Sequence, residues 1–202
     1  MSALLAFQRD TRGSSAAEFA LILPVFLLGI IDLGRYAWAF NQAEKATQMG
    51  ARFAVVTDMI PSDLTNYSFA TSCGVPQGDV VDIGRFGGAQ CSSSATTATC
   101  TVTTSCSGLG STADNDAFGR LADRMTSIYP SVGRQNIELD YANAGLGYAG
   151  DPNGADVSPL VTVSLRDLAF EPMFLGALGI TFPIPSASYT LTMEDGQGAT
   201  SN

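Results

Sequence analysis

Glu18 is the residue whose surroundings demand chemistry. It stands between Ser14-Ser15-Ala16-Ala17 and the unbroken apolar run 19–31, five residues beyond Gly13. A carboxylate inside lipid is costly unless it finds a partner, so an intramembrane Glu marks a candidate functional site. A second group is Cys73, Cys91, Cys100 and Cys106, all within one Ser/Thr-rich stretch. An even cysteine count in an oxidising compartment reads as two disulfides, with three pairings open. Nearness in sequence favours Cys73 with Cys91 and Cys100 with Cys106. The chain has neither Cys-x-x-Cys nor His, which argues against zinc. The third group, Asp151-Pro152-Asn153-Gly154-Ala155-Asp156, places the oxygens of Asp151, Asn153 and Asp156 in one turn, a weak Ca²⁺ candidate. It departs from the EF-hand pattern because Gly comes fourth, not sixth, and no Glu follows at the required place. A Pro-Asn-Gly turn accounts for it with nothing bound, so no metal is expected.

Composition narrows the function classes. Ten basic residues against nineteen acidic ones leave no basic face for phosphate, so nucleic acid is not an expected partner. Without His there is no His-based triad or acid-base pair, and neither a Gly-x-Ser-x-Gly elbow nor a P-loop occurs. The chain reads as a non-enzyme with no cofactor.

Three readings compete for the N-terminus. A conventional secretory signal would be cut at Ala37-Trp38-Ala39, but Asp32 and Arg35 intervene and Trp38 and Phe40 crowd the junction. An uncleaved anchor needs about 20 apolar residues. Residues 19–31 fall short, and reaching Phe40 means accepting Asp32 and Arg35, one helical turn apart and able to pair. The third reading, cleavage between Gly13 and Ser14, is preferred because it explains Gly13 and Glu18 together. Arg9 and Arg12 precede the apolar run, so the positive-inside rule keeps the leader cytoplasmic and everything after about Phe40 outside.

These groups need elements to position them. Residues 1–13 form the leader, and residues 14–58 one helix whose membrane part is about 16–40. Pro24 removes a backbone hydrogen bond inside it, so a kink is expected there. Residues 62–110 read as a disulfide-bearing loop insertion, and 111–194 as an α+β outer domain. Within that domain Ser111 or Thr112 can cap a helix, Asp114 and Asp116 suit its N-terminal end, and Phe118, Leu121, Met125 and Ile128 recur at helical spacing. Alternation at Ile137/Leu139/Tyr141, Val161/Val163/Leu165 and Ala187/Tyr189/Leu191/Met193 predicts three strands. The fold class is therefore α+β: an N-terminal transmembrane or stalk helix, then a small domain with an antiparallel sheet packed on helices. Residues 171–185 read as an apolar connection, and 195–202 as a flexible tail.

The stretch Arg12-Gly13-Ser14-Ser15-Ala16-Ala17-Glu18-Phe19-Ala20-Leu21-Ile22-Leu23-Pro24, followed by Gly34-Arg35 and Gly50-Ala51-Arg52, resembles the TadE-like pseudopilin family of tight-adherence (Tad/Flp) pilus systems. The strands around Leu160-Val161-Thr162-Val163 and Ala187-Ser188-Tyr189-Thr190 are similar to that family's ending. The resemblance implies a minor pilin-like component matured by a prepilin peptidase and acting in assembly, initiation or anchoring of a type IVb fibre used in attachment. Carried over by position, Gly13 precedes the scissile bond, Ser14 becomes the new N-terminus, and Glu18 is the acid of the motif. The implied partners are other pilin or pseudopilin subunits, the Tad inner-membrane assembly machinery, the peptidase and the membrane. The implied location is the bacterial inner membrane, with the N-terminus cytoplasmic and the C-terminal domain periplasmic or carried into a pilus. The competing function is an uncleaved, membrane-tethered binding domain that never joins a fibre.

Overall fold

The computed structural model of the chain describes residues 14–194 and 196–198. The leader, Gly13, Asp195 and residues 199–202 lie outside the described residues.

Helix α1, Ser14–Ala54, is unbroken across Pro24 and changes character partway along. Up to Trp38 its apolar side chains are exposed on every side, including Phe19, Leu21, Ile22, Phe26, Ile30, Leu33 and Trp38. From Ala39 onward a stripe of small residues, Ala39, Ala43, Ala46, Thr47, Gly50, Ala51 and Ala54, is buried. The polar Asn41, Glu44, Lys45, Gln48 and Arg52 face out. A helix apolar all round belongs in lipid or a bundle, whereas a one-sided stripe belongs against a domain core. The helix ends before residue 58: Val56 N–H bonds Phe53 O at 3.3 Å, the tightened last turn by which a helix end satisfies its carbonyls.

The chain divides into two compact units. One holds residues 39–168 and 183–202. In it follow the short helices α2 (Ser62–Thr65) and α3 (Phe69–Ser72), strands β1 (Phe86–Ser93) and β2 (Ala98–Thr104), helix α4 (Asn115–Thr126), and strands β3 (Ile137–Ala142) and β4 (Leu160–Leu165). Strand β7 (Ala187–Thr192) completes an antiparallel sheet ordered β2-β1-β3-β4-β7. The two-residue strands β5 (Ala169–Phe170) and β6 (Phe182–Pro183) form a separate ladder between β4 and β7 in sequence.

Strands β3 and β4 obey the period of two, burying Ile137, Leu139 and Tyr141 and then Val161, Val163 and Leu165. Strand β7 does not, since only Ala187 is fully buried along it: an edge strand is covered on one flank alone. The core pairs this sheet face with the α1 stripe and with Phe118, Leu121 and Met125 of α4. Gly50 fits closely there, because a Cβ on it would come within 2.8 Å of the Met125 sulfur.

Several further sequence expectations need correction. Residues 62–110 are not a loop insertion: β1 and β2 make a hairpin, and β1 pairs with β3 from Gly88↔Ala142 to Ser92↔Glu138. The Gly-rich start of β1 carries no apolar alternation, yet the edge of β3 supplies its ladder, while along β2 Ala98, Cys100 and Val102 alternate with threonines in the period of a strand. These residues therefore share one unit with 111–168 and 183–194, while 169–182 of the expected outer domain fall in the other unit. Helix α4 is capped by Asp114, whose carboxylate accepts from Asp116 N–H at 2.8 Å and Ala117 N–H at 2.9 Å, and not by Ser111 or Thr112. Thr112 is taken up elsewhere, donating its N–H to Asp63 at 2.8 Å and accepting from Ser62 N–H at 3.1 Å. The tail is also held in part: Gly198 N–H donates to the Asp58 carboxylate at 2.7 Å, and Asp58 N–H returns a bond to Gly198 O at 2.9 Å.

The disulfides are Cys73–Cys106 and Cys91–Cys100, not the pairs that nearness in sequence favoured. Cys91 and Cys100 are register partners across β1 and β2, with Cα atoms 4.1 Å apart, and residues directly opposite on a sheet face are natural neighbours. The same hairpin returns the chain so that Cys106 meets Cys73 beyond α3, at a Cα separation of 5.2 Å. Arg85 ties this junction, donating to Cys73 O while its own carbonyl accepts from Thr104 Oγ1 at 2.6 Å.

Candidate membrane and subunit interface

The second unit is the apolar part of α1 up to Trp38 together with residues 169–182. Its polar centre is Asp32. Among neighbours exposed by half or more, such as Ile30, Ile31 and Leu33, Asp32 is only 8% exposed. One carboxylate oxygen accepts Met173 N–H at 2.7 Å and Arg35 Nη1 at 3.2 Å, and the other accepts Phe174 N–H at 3.0 Å. The Arg35 guanidinium also lies over the Phe170 ring, 5.3 Å from its centre, and Tyr36 meets that ring edge-on at 5.5 Å. The spacing of Asp32 and Arg35 anticipated their ion pair. Nothing in the sequence announced the two amide donors, which come from 141 and 142 residues further along.

The amides are presented by a tight excursion. Gly176 N–H bonds Pro172 O at 2.9 Å, a short 3₁₀ turn spans Gly176–Leu178, and Gly179 takes a left-handed conformation with φ 76°, open to glycine without the steric cost a side chain brings. Ile180 N–H then returns to Leu175 O at 3.1 Å. Residues 171–185 are therefore an apolar connection with its own backbone bonding.

Glu18 lies on the exposed surface of α1 with Phe19 and Leu21, well separated in sequence from Asp32. Ser14 is the first helical residue described, and its expected partner in cleavage, Gly13, lies outside the described residues. Asp151, Asn153 and Asp156 do come together, beside residues 65–68. Asp156 is buried, however, with its oxygens accepting Phe69 N–H at 2.7 Å and Asp151 N–H at 3.1 Å, while Asp151 accepts Asn153 N–H at 2.9 Å. These carboxylates act as backbone clamps.

Fold and site together define an α+β protein in which, among the described residues, one helix near the N-terminus is long and apolar enough to cross a membrane. Residues 13–52 match the family model described as TadE-like protein, so this segment is similar to that family. No curated protein and no solved structure matches the chain.

Proposed function

We propose that this protein is a pilin-like minor subunit of a tight-adherence type IVb pilus system, cut after Gly13 by a prepilin peptidase and acting in assembly, initiation or anchoring of an adhesive fibre. The observation that carries the reading is the coincidence of the TadE-like match with the part of α1 that exposes apolar side chains all round. In this reading the helix sits in the inner membrane, N-terminus inward and α+β unit in the periplasm, until it enters a bundle of like helices. The role is structural rather than catalytic, and the partners are other pilin-like subunits and the inner-membrane assembly machinery.

The chemistry is simple. Cleavage creates an α-ammonium on Ser14, and Glu18 of a neighbouring subunit receives it. Four residues at 1.5 Å each set an axial stagger of about 6 Å between the two helices. The ion pair relieves the cost of a carboxylate in an apolar bundle. Gly13 before the cut leaves the extended backbone unencumbered in the peptidase.

The test is the N-terminal residue of the protein recovered from its native membrane, read by mass spectrometry with and without the cognate peptidase. A peptidase-dependent start at Ser14 supports the proposal. A start at Met1 leaves a plain tethered binding domain, and one at Phe40 a secreted soluble one. Glu18→Gln should leave export and cleavage intact and abolish recovery of the protein with its partner subunits; unchanged recovery would remove Glu18 from the mechanism.

A further inference from the structure

We propose that residues 169–182 form a second membrane element, an apolar excursion that lies among the acyl chains of the outer leaflet against α1. Depth is the first argument. Counting from Glu18 at the inner edge, Asp32 lies about 21 Å along the helix, inside a hydrocarbon layer of about 30 Å, and the span ends near Trp38. The amides of Met173 and Phe174 are bonded to Asp32, so their segment sits at that level too.

Composition and backbone agree. Glu171 is the only charged residue of this segment. Met173 is 63% exposed, and Ile180 and Phe182 are about two-fifths exposed, continuing the apolar belt of Ile30, Ile31 and Leu33. Irregular backbone is tolerated at membrane depth only where its polar groups are satisfied within the protein. Here five amides of the segment, those of residues 173, 174, 176, 179 and 180, are bonded internally, and Pro172 has none to bond. The arrangement also explains Asp32: the excursion and Arg35 neutralise a carboxylate that a bare helix would expose to lipid. Arg35, its side chain 43% exposed, is long enough to reach toward the headgroups.

This inference rests on α1 spanning a membrane, and the experiment separates the two. The full chain, with its two disulfides intact, carries one added cysteine labelled with an environment-sensitive fluorophore at Met173, Phe174, Ile30 or Thr96, the last in the exposed β1–β2 turn. It is reconstituted in phosphatidylcholine/phosphatidylglycerol vesicles containing lipids spin-labelled on the acyl chain. The expected result is lipid quenching at positions 173 and 174 comparable to position 30, with iodide quenching confined to position 96. Iodide quenching at 173 and 174 with lipid quenching kept at 30 would overturn the excursion alone. Loss of lipid quenching at 30 would overturn the spanning helix and the excursion with it. Shielding at 173 and 174 that vanishes at one chain per vesicle would assign the surface to a second copy instead and overturn the lipid proposal.

Discussion

The Cys73–Cys106 bridge should stabilise the unit that holds the five-stranded sheet more than Cys91–Cys100, although the latter lies within that sheet. The bridges join residues 33 and 9 positions apart. If a disulfide acts mainly by restricting the unfolded chain, loops of those lengths correspond to about 3.7 and 2.6 kcal/mol. Each is best isolated against its own reduced form, which keeps the sequence and every cavity constant. In a C91A/C100A variant the loss of melting temperature on reduction reports the outer bridge alone. In C73A/C106A it reports the inner one. At roughly 2–4 °C per kcal/mol for a domain of this size, the drops should be about 7–15 °C and 5–10 °C. Circular dichroism melts of the full chain in detergent would measure both. An outer-bridge drop equal to or smaller than the inner one would refute the chain-entropy reasoning and locate the stabilisation in native contacts of the hairpin.

Three further outcomes follow from the packing. Gly88, at the β1 irregularity with φ 148°, would place a Cβ 2.6 Å from the Tyr141 carbonyl oxygen, so Gly88→Ala should destabilise the sheet by at least about 1–3 kcal/mol in denaturant titration. Burial pushes the Tyr141 hydroxyl well above its usual range despite the hydrogen bond from Ile60 N–H. The folded state therefore keeps a proton that the unfolded chain loses near pH 10, and stability should fall above that pH by up to about 1.4 kcal/mol per unit. Tyr141→Phe should remove that share of the slope while costing about 1–3 kcal/mol at neutral pH for the orphaned Ile60 amide. Asp32→Ala should free the amides of Met173 and Phe174 and speed their hydrogen exchange about 5- to 150-fold, the equivalent of 1–3 kcal/mol, with Asp32→Asn intermediate.

Much of this protein follows from local pattern. The apolar run and the good helix formers behind it define α1, and alternation marks β3 and β4, because burial on one face repeats with the period of the element. The Asp32–Arg35 pair is legible for the same reason, being one helical turn apart. The TadE-like match is equally local, since it covers one contiguous stretch, residues 13–52.

The remainder was decided by which distant segments meet. The Gly-rich start of β1 carries no apolar period, and β1 is a strand because the edge of β3 accepts it; β2 pairs with β1 in turn, and that register places Cys91 opposite Cys100. Asp114 and not Ser111 or Thr112 is the cap because Thr112 and Ala113 are paired with the segment around Pro61, which leaves Asp114 directly before the first helical turn. Asp32 looked like a charge to be tolerated in an apolar helix, and only the folded chain brings to it two backbone amides from the far end of the sequence. Sequence alone fixed what each segment prefers by itself, since periodicity and charge act between near neighbours. Tertiary structure fixed the partners, because hydrogen bonds and disulfides between remote segments depend on register and packing that no single segment carries.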